Sequence, residues 1–557
     1  MGPVSFPTPG RLAGSTGSRQ RPKDSSEVTM SVTRRKFMQA LTVAGGAGVT
    51  GSSAGLLAEP LPGKKKGRKK RTLYFNDARH YYLYVFEPPM TMEDAWVPID
   101  EVAGTAVDTF VYGVERGDGL FYPSRVGQRF GFDKRPFDIT AYWRTWENMQ
   151  SLIDRGLDPL TVLIDRAHDK GMDFFASVRM ASYGGLEDKY KVPEGGRGLA
   201  HEFVRDHQYA VLKELATEYA TDGVELDFAA APGGMPLYVR PEDLSATTPV
   251  LTEWVAKISD AVRNRPGKSG QVGARVYPTE EMCLKNGLDV RTWVREGLVD
   301  YLAPILYIDF TLDVDMPIDW VIEAAHAKDI AVYGTLQPYI RDEATGSAPA
   351  APKRIYPTPE NVRAASANYW RRGVDGLYAW FMQWPLGDTE RRILTEIGDP
   401  ELIGEADKHY VLHGSSERSS EMGYPAGLPL KIPGPEPGKR YPISFSISDD
   451  IEGKADRIRQ VVLKLHIDNL LTADRLTVLL NGQSLAEEIC LRDYADNIVP
   501  YQGQWLEFHL RKVRPRKGEN LLEISLEERP PHMGKGISVE WVEVRVDYGF
   551  YPTTPKA

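Results

Sequence analysis

Two cysteines in 557 residues, Cys283 and Cys490, leave no room for a disulfide framework or a multi-cysteine metal centre. The ten histidines contain no His-Glu-x-x-His. His201 and His207 lie six apart, on different faces of a helix. Zinc catalysis needs two or three convergent ligands, so a zinc deacetylase is disfavoured, and no metal and no cofactor are expected. A glycine-rich phosphate loop is also missing. The first apolar run, Leu73-Tyr74-Phe75, is followed by Asn76-Asp77-Ala78-Arg79-His80, where a dinucleotide-binding fold would place its glycines. Outside the N-terminus positive charge is outnumbered by negative charge. Residues 1–71 hold 14 of the 68 Lys+Arg and 3 of the 77 Asp+Glu, so this tail carries +11 and the remainder −20. An acidic body of that kind excludes nucleic acid as the natural partner.

What is present at the N-terminus reads as an address. Arg34-Arg35-Lys36-Phe37 precedes an uncharged, small-residue stretch from Ala40 to Ala58. This resembles a twin-arginine export signal. Gly45, Gly46, Gly48 and Gly51 interrupt the stretch, which makes it a poor spanning helix. Lys64 to Arg71 hold seven basic residues in eight and read as a solvated linker. Residues 1–71 are therefore expected to be signal and linker, with Met30 as an alternative start. The body is expected outside the cytoplasm, periplasmic or extracellular, with no membrane contact once the signal is removed.

From Leu73 onward, apolar runs alternate with amphipathic stretches. The runs are 73–75, 107–114, 173–180, 223–228, 272–277, 299–308, 330–336 and 374–382. Eight strand–helix units in about 320 residues predict an α/β fold, a (β/α)₈ TIM barrel over 72–400. A doubly wound sheet is the runner-up. Residues 401–440, rich in Pro, Gly and Ser, read as a linker. From Tyr441 the period becomes two, with Asn481-Gly482 as a hairpin signal, which predicts a β-sandwich over 441–550. No internal repeat is apparent.

A barrel of this kind carries its chemistry on the C-terminal strand ends. Glu225 and Asp227 are two apart on the fourth strand and share a face, with Val224, Leu226 and Phe228 packing outward. Asp227, nearer the mouth, is the first catalytic candidate. Asp309 after strand six and Glu280 after strand five are the candidates for a second carboxylate. Arg179 and Arg275 flank strand four as charge partners. Asn76, Asp77, Arg79 and His80 follow strand one, and Tyr277 and Tyr307 end strands five and six. Trp380, Gln383 and Trp384 end strand eight, where flat rings and an amide suit a sugar. Two carboxylates across a cleft are the requirement of glycoside hydrolysis.

The segments FNDARH (75–80), EPPMT (87–91), VDTFVYGVERGDGLFYPS (107–124), DGVELDF (222–228), REGLVDYLAP (295–304) and DGLYAWFMQW (375–384) resemble the bacterial glycosyl hydrolase-like family 10 group of exported barrels. The resemblance covers Leu73 to about Asp399 and implies a carbohydrate-active barrel. DGVELDF also resembles the strand-four signature of family 18 chitinases. That signature places a catalytic Glu two positions after its last Asp, where this chain has Ala229, so substrate-assisted chitinase chemistry is not expected. Gln337 stands near the end of strand seven, where a large clan of barrel glycosidases has a nucleophilic Glu. The expectation is an exported glycoside hydrolase acting on a polysaccharide or oligosaccharide. Arg79, His80, Arg179 and Arg275 point to a uronic or sulfated sugar. A non-catalytic carbohydrate-binding or envelope protein and a uronate lyase remain the alternatives.

Overall fold

The computed structural model describes residues 68–77, 82–117, 119–180, 187–192, 196–229, 238–341, 354–425, 427–494 and 503–549. The expected export signal, and Arg79 and His80, lie outside the described residues. Eight parallel strands close into a barrel: β1 Arg71–Asp77, β2 Thr109–Gly113, β3 Asp173–Arg179, β4 Gly223–Asp227, β5 Gln271–Val276, β6 Tyr301–Pro304, β7 Ala331–Leu336 and β8 Gly376–Ala379. Each strand pairs with its sequence neighbours, and β8 pairs with β1. The expected TIM barrel is present. Helices such as Pro159–Asp169, Glu202–Thr217, Leu244–Arg263 and Pro359–Arg372 follow the strands. Alternate residues such as Val224 and Leu226 are fully buried in the main hydrophobic core, as a sheet covered on its outer face requires.

A repeat invisible in the sequence emerges at the N-terminal strand ends. Asp222, Asp300 and Asp375 sit just before β4, β6 and β8. Each uses one carboxylate oxygen to accept the backbone N–H of Phe174, Val272 or Val332 on the preceding strand, at 2.9, 2.8 and 3.0 Å. Each returns its own N–H to the carbonyl of that same residue. Each also meets a basic side chain at the end of a helix: His168, Arg263 and His326 at 2.8, 3.3 and 2.9 Å. Asp108, before β2, makes the matching backbone bond to Thr72. Every second strand is thus latched to its predecessor at the end away from the mouth.

The C-terminal part, from Lys408 to Tyr548, is a sandwich of two antiparallel sheets. The larger holds β9 Lys408–His413, β10 Leu430–Ile432, β12 Ile458–Asp468, β15 Ile489–Tyr494, β16 Gly503–His509 and β18 Ile537–Tyr548. The smaller holds β11 Tyr441–Ile447, β13 Arg475–Leu480, β14 Gln483–Ser484 and β17 Gly518–Glu528. Alternation sets the core: Leu463, Leu465 and Ile467 of one sheet bury with Phe445, Leu522 and Ile524 of the other. The 401–440 segment differs from the linker expected there. Its β9 pairs along its whole length with β18, and its β10 joins the same strand. Pairing with a strand 128 to 138 residues further along the chain is not readable in a segment rich in turn residues.

The barrel helix Pro359–Arg372 fastens the barrel to the sandwich. Asn368 Nδ2 donates to Val314 O at 2.8 Å and to Ser446 O at 2.9 Å, and Asn361 Nδ2 donates to His409 O at 3.1 Å. Among the described residues no helix is long and apolar enough to cross a membrane.

Candidate active site

The inward parity of the strands builds the site. Glu225 and Asp227 both point into the barrel, and β5 answers with Arg275. Its Nη2 donates to Glu225 Oε1 at 2.7 Å and its Nη1 to Asp227 Oδ2 at 3.0 Å. All three side chains are fully buried. Glu225 accepts three further hydrogen bonds: from Ser177 Oγ at 2.8 Å, Tyr301 OH at 2.9 Å and Tyr378 OH at 3.0 Å. Asp227 Oδ1 accepts the N–H of Ala229 at 3.2 Å. Nearer β1, Arg179 Nη2 donates to Asp77 Oδ2 at 2.5 Å.

Aromatic rings surround the central guanidinium. Arg275 Cζ lies 4.1 Å from the Phe75 ring centre, 4.8 Å from Trp380 and 5.0 Å from Tyr378. Burial opposes the Arg275 charge, but Asp227 and Glu225 outweigh it and hold its pKa above that of free arginine. Burial, reinforced by Glu225, pushes the Tyr301 phenol well above its ordinary value, and burial does the same for Tyr378. Both stay protonated and able to donate. A glycine makes this geometry accessible: a Cβ on Gly273 would collide with the Tyr301 ring, so Gly273 is the opening through which Tyr301 reaches Glu225.

The remaining candidates are distributed around this centre. Trp380 is buried, with its ring 4.7 Å from Phe75 and 5.5 Å from Tyr307. Tyr277 OH donates to Phe228 O at 3.0 Å, a carbonyl it shares with Tyr238, and so fixes the turn after β4. Asn76 is fully buried and neither amide atom has a partner among the described residues. Gln383 is exposed, and Trp384 packs edge-on against Phe86. The two candidates for a second carboxylate are engaged elsewhere. Asp309 accepts Ser416 N at 3.0 Å and Ser419 Oγ at 2.9 Å, from the segment between β9 and β10 of the sandwich. Glu280, on the first turn of the short helix Glu280–Leu284, is forked by Arg291 at 2.5 and 2.9 Å.

Ser177, Tyr301, Tyr378 and Phe75 belong to the site and were not singled out from sequence. Three of them stand two residues before a named candidate: Phe75 before Asp77, Ser177 before Arg179 and Tyr378 before Trp380. Strand parity therefore carried the signal. Among the described residues no cluster of three or more His, Cys, Asp and Glu is placed to hold a metal.

No protein-family model and no curated protein matches the chain. Solved structures similar to it include alpha-L-fucosidase isoenzyme 2 from Paenibacillus thiaminolyticus, at 12% identity and TM-score 0.39, covering 61% of this chain and 49% of that one. This chain thus spans about half the length of that fucosidase. The alpha-L-fucosidase from Vibrio sp. strain EJY3 is similar at 12% identity and TM-score 0.38, over 85% of this chain and 96% of that chain. The PgaB glycoside hydrolase domain from Bordetella bronchiseptica is similar at 12% identity and TM-score 0.36, over 59% and 99%. At these identities and scores the likeness assigns neither a substrate nor a residue's role; the barrel-plus-sandwich architecture rests on the strand pairing itself.

Proposed function

We propose that the chain is an exported glycoside hydrolase acting on a polysaccharide or oligosaccharide at the C-terminal face of its barrel. The observation that carries this reading is the convergence of Asp227, Glu225 and Arg275 beneath Trp380. An arginine at hydrogen-bond distance favours an ionised carboxylate, which suits Asp227 as nucleophile, base or charge stabiliser. Glu225, with four donors on its two oxygens, is better suited to position Arg275 than to exchange protons. Asp309 and Glu280 stay the candidates for the acid, and each would have to leave its present partners to serve.

Arg179 and Arg275 are each matched to a carboxylate. A neutral sugar therefore fits the inner layer better than an anionic one, and a uronic or sulfated substrate would depend on Arg79 and His80. Export rests on Arg34-Arg35-Lys36-Phe37 and the uncharged stretch after it. The burial of Asp227 and Arg275 favours a second reading, a non-catalytic carbohydrate-binding barrel whose charge network is purely structural. The test incubates the purified protein with neutral, uronic and sulfated polysaccharides, assaying new reducing ends and the unsaturated-uronate absorbance. Reducing ends without the absorbance establish a glycosidase. The absorbance identifies a lyase. Binding with neither product favours the second reading.

A further inference from the structure

A pocket of about 160 Å³ lies between the barrel loop 306–317 and the segments 411–428 and 443–444. It shares that loop with the candidate active site. Tyr307 and Phe310 turn their rings to within 5.5 and 5.3 Å of Trp380, while Asp309, Thr311 and Asp313 line the pocket. Phe310 between them has φ of +50°, in the left-handed region that a bulky side chain rarely occupies. Strain of this kind persists where the surroundings enforce it, and it clusters at ligand sites.

The wall has two characters. Leu312, Val314, Leu428 and Ile443 supply apolar surface, and Asp309, Asp313 and Ser415 supply polar groups. Ser415 Oγ meets no solvent and has no hydrogen-bond partner; a turn of its side chain toward the pocket would give it a guest hydroxyl and remove that cost. Asp309 is oriented by Ser416 N and Ser419 Oγ, and Asp313 by Asp315 N and the Tyr424 hydroxyl. A carboxylate has about four acceptor sites, so lone pairs remain for a guest. An anion would meet these carboxylates unfavourably. Water alone would satisfy the hydroxyl but leave the apolar half unmatched. An uncharged ring with hydroxyls at its edge and C–H groups on its faces matches both halves.

We propose that this pocket binds one neutral sugar unit, a second carbohydrate site built jointly by the barrel loop and the sandwich; the proposal rests on the carbohydrate reading of the barrel mouth. The test titrates the full chain with neutral hexoses, pentoses and N-acetylhexosamines, by calorimetry and ligand-observed NMR. Wild type is compared with Ser444→Phe, Ser415→Ala and Asp227→Asn. Ser444 is exposed at the pocket's edge, so a phenyl ring there closes the opening without entering the core. One sugar class is expected to bind wild type and Asp227→Asn alike, and about tenfold or more weaker to Ser444→Phe. Ser415→Ala is expected to weaken it severalfold, and its titration decides the matter should the phenyl variant not fold. Unchanged binding in both pocket variants, loss only in Asp227→Asn, or no binding to wild type overturns the proposal. Cleavage is read separately as new reducing ends, so a mouth without activity remains distinguishable from an empty second site.

Discussion

Arg275 donates to Asp227 across 3.0 Å, from β5 to β4, in a part of the barrel where neither side chain meets solvent. The same guanidinium holds Glu225 at 2.7 Å. Removing it would take from two buried carboxylates the cation they share. Breaking a buried pair from one side costs about 3–5 kcal/mol. Arg275→Met is therefore expected to lower unfolding free energy by that order in a denaturant titration. A double variant, Arg275→Met with Glu225→Gln, is expected to recover part of the loss.

The latches at the opposite end of the barrel separate stability from function. Asp222→Ala orphans the Phe174 N–H and removes the partner of His168 and Lys268. Leaving a buried donor unsatisfied costs about 1–3 kcal/mol. Asp375→Ala does the same to Val332 and His326. The two sites share no partner, so the losses are expected to add. Chemical unfolding checks the sum, and kcat/KM on the substrate identified by the polysaccharide panel is expected to stay at the wild-type value in each.

Glu101 sets a pH dependence. Burial lifts its carboxyl from 4.5 to about 8, against a smaller opposing pull from Trp384. The folded protein thus holds a proton that the unfolded chain has released. The stability this confers is complete below pH 4.5 and is lost as pH rises through about 8. Melting temperature against pH is expected to fall across that window in wild type, and less steeply in Glu101→Gln.

Much of the architecture was legible because a barrel strand writes its two faces at period two. That period placed Glu225 and Asp227 on one inward face and named Arg179 and Arg275 as flanking cations. The hydrogen-bonded network was less legible. Tyr301 reaches Glu225 only because β5 carries Gly273 beside it, a dependence between two strands that neither strand announces. Asp309 reads as a carboxylate at the end of strand six, near the mouth, yet Ser416 and Ser419 occupy its oxygens from about 110 residues downstream. The β9 strand was hidden for the same reason, since its partner β18 is the last strand in chain order.

The central claim is that Asp227 does chemistry on a glycosidic bond. The most direct measurement is the rate of new reducing ends for Asp227→Asn and wild type on the polysaccharide that wild type cleaves, with matched melting temperatures as the fold control. The expected result is a loss of about 10²-fold or more in kcat, the order associated with one acid–base group. An Asp227→Asn protein that folds and cleaves at the wild-type rate would contradict the account.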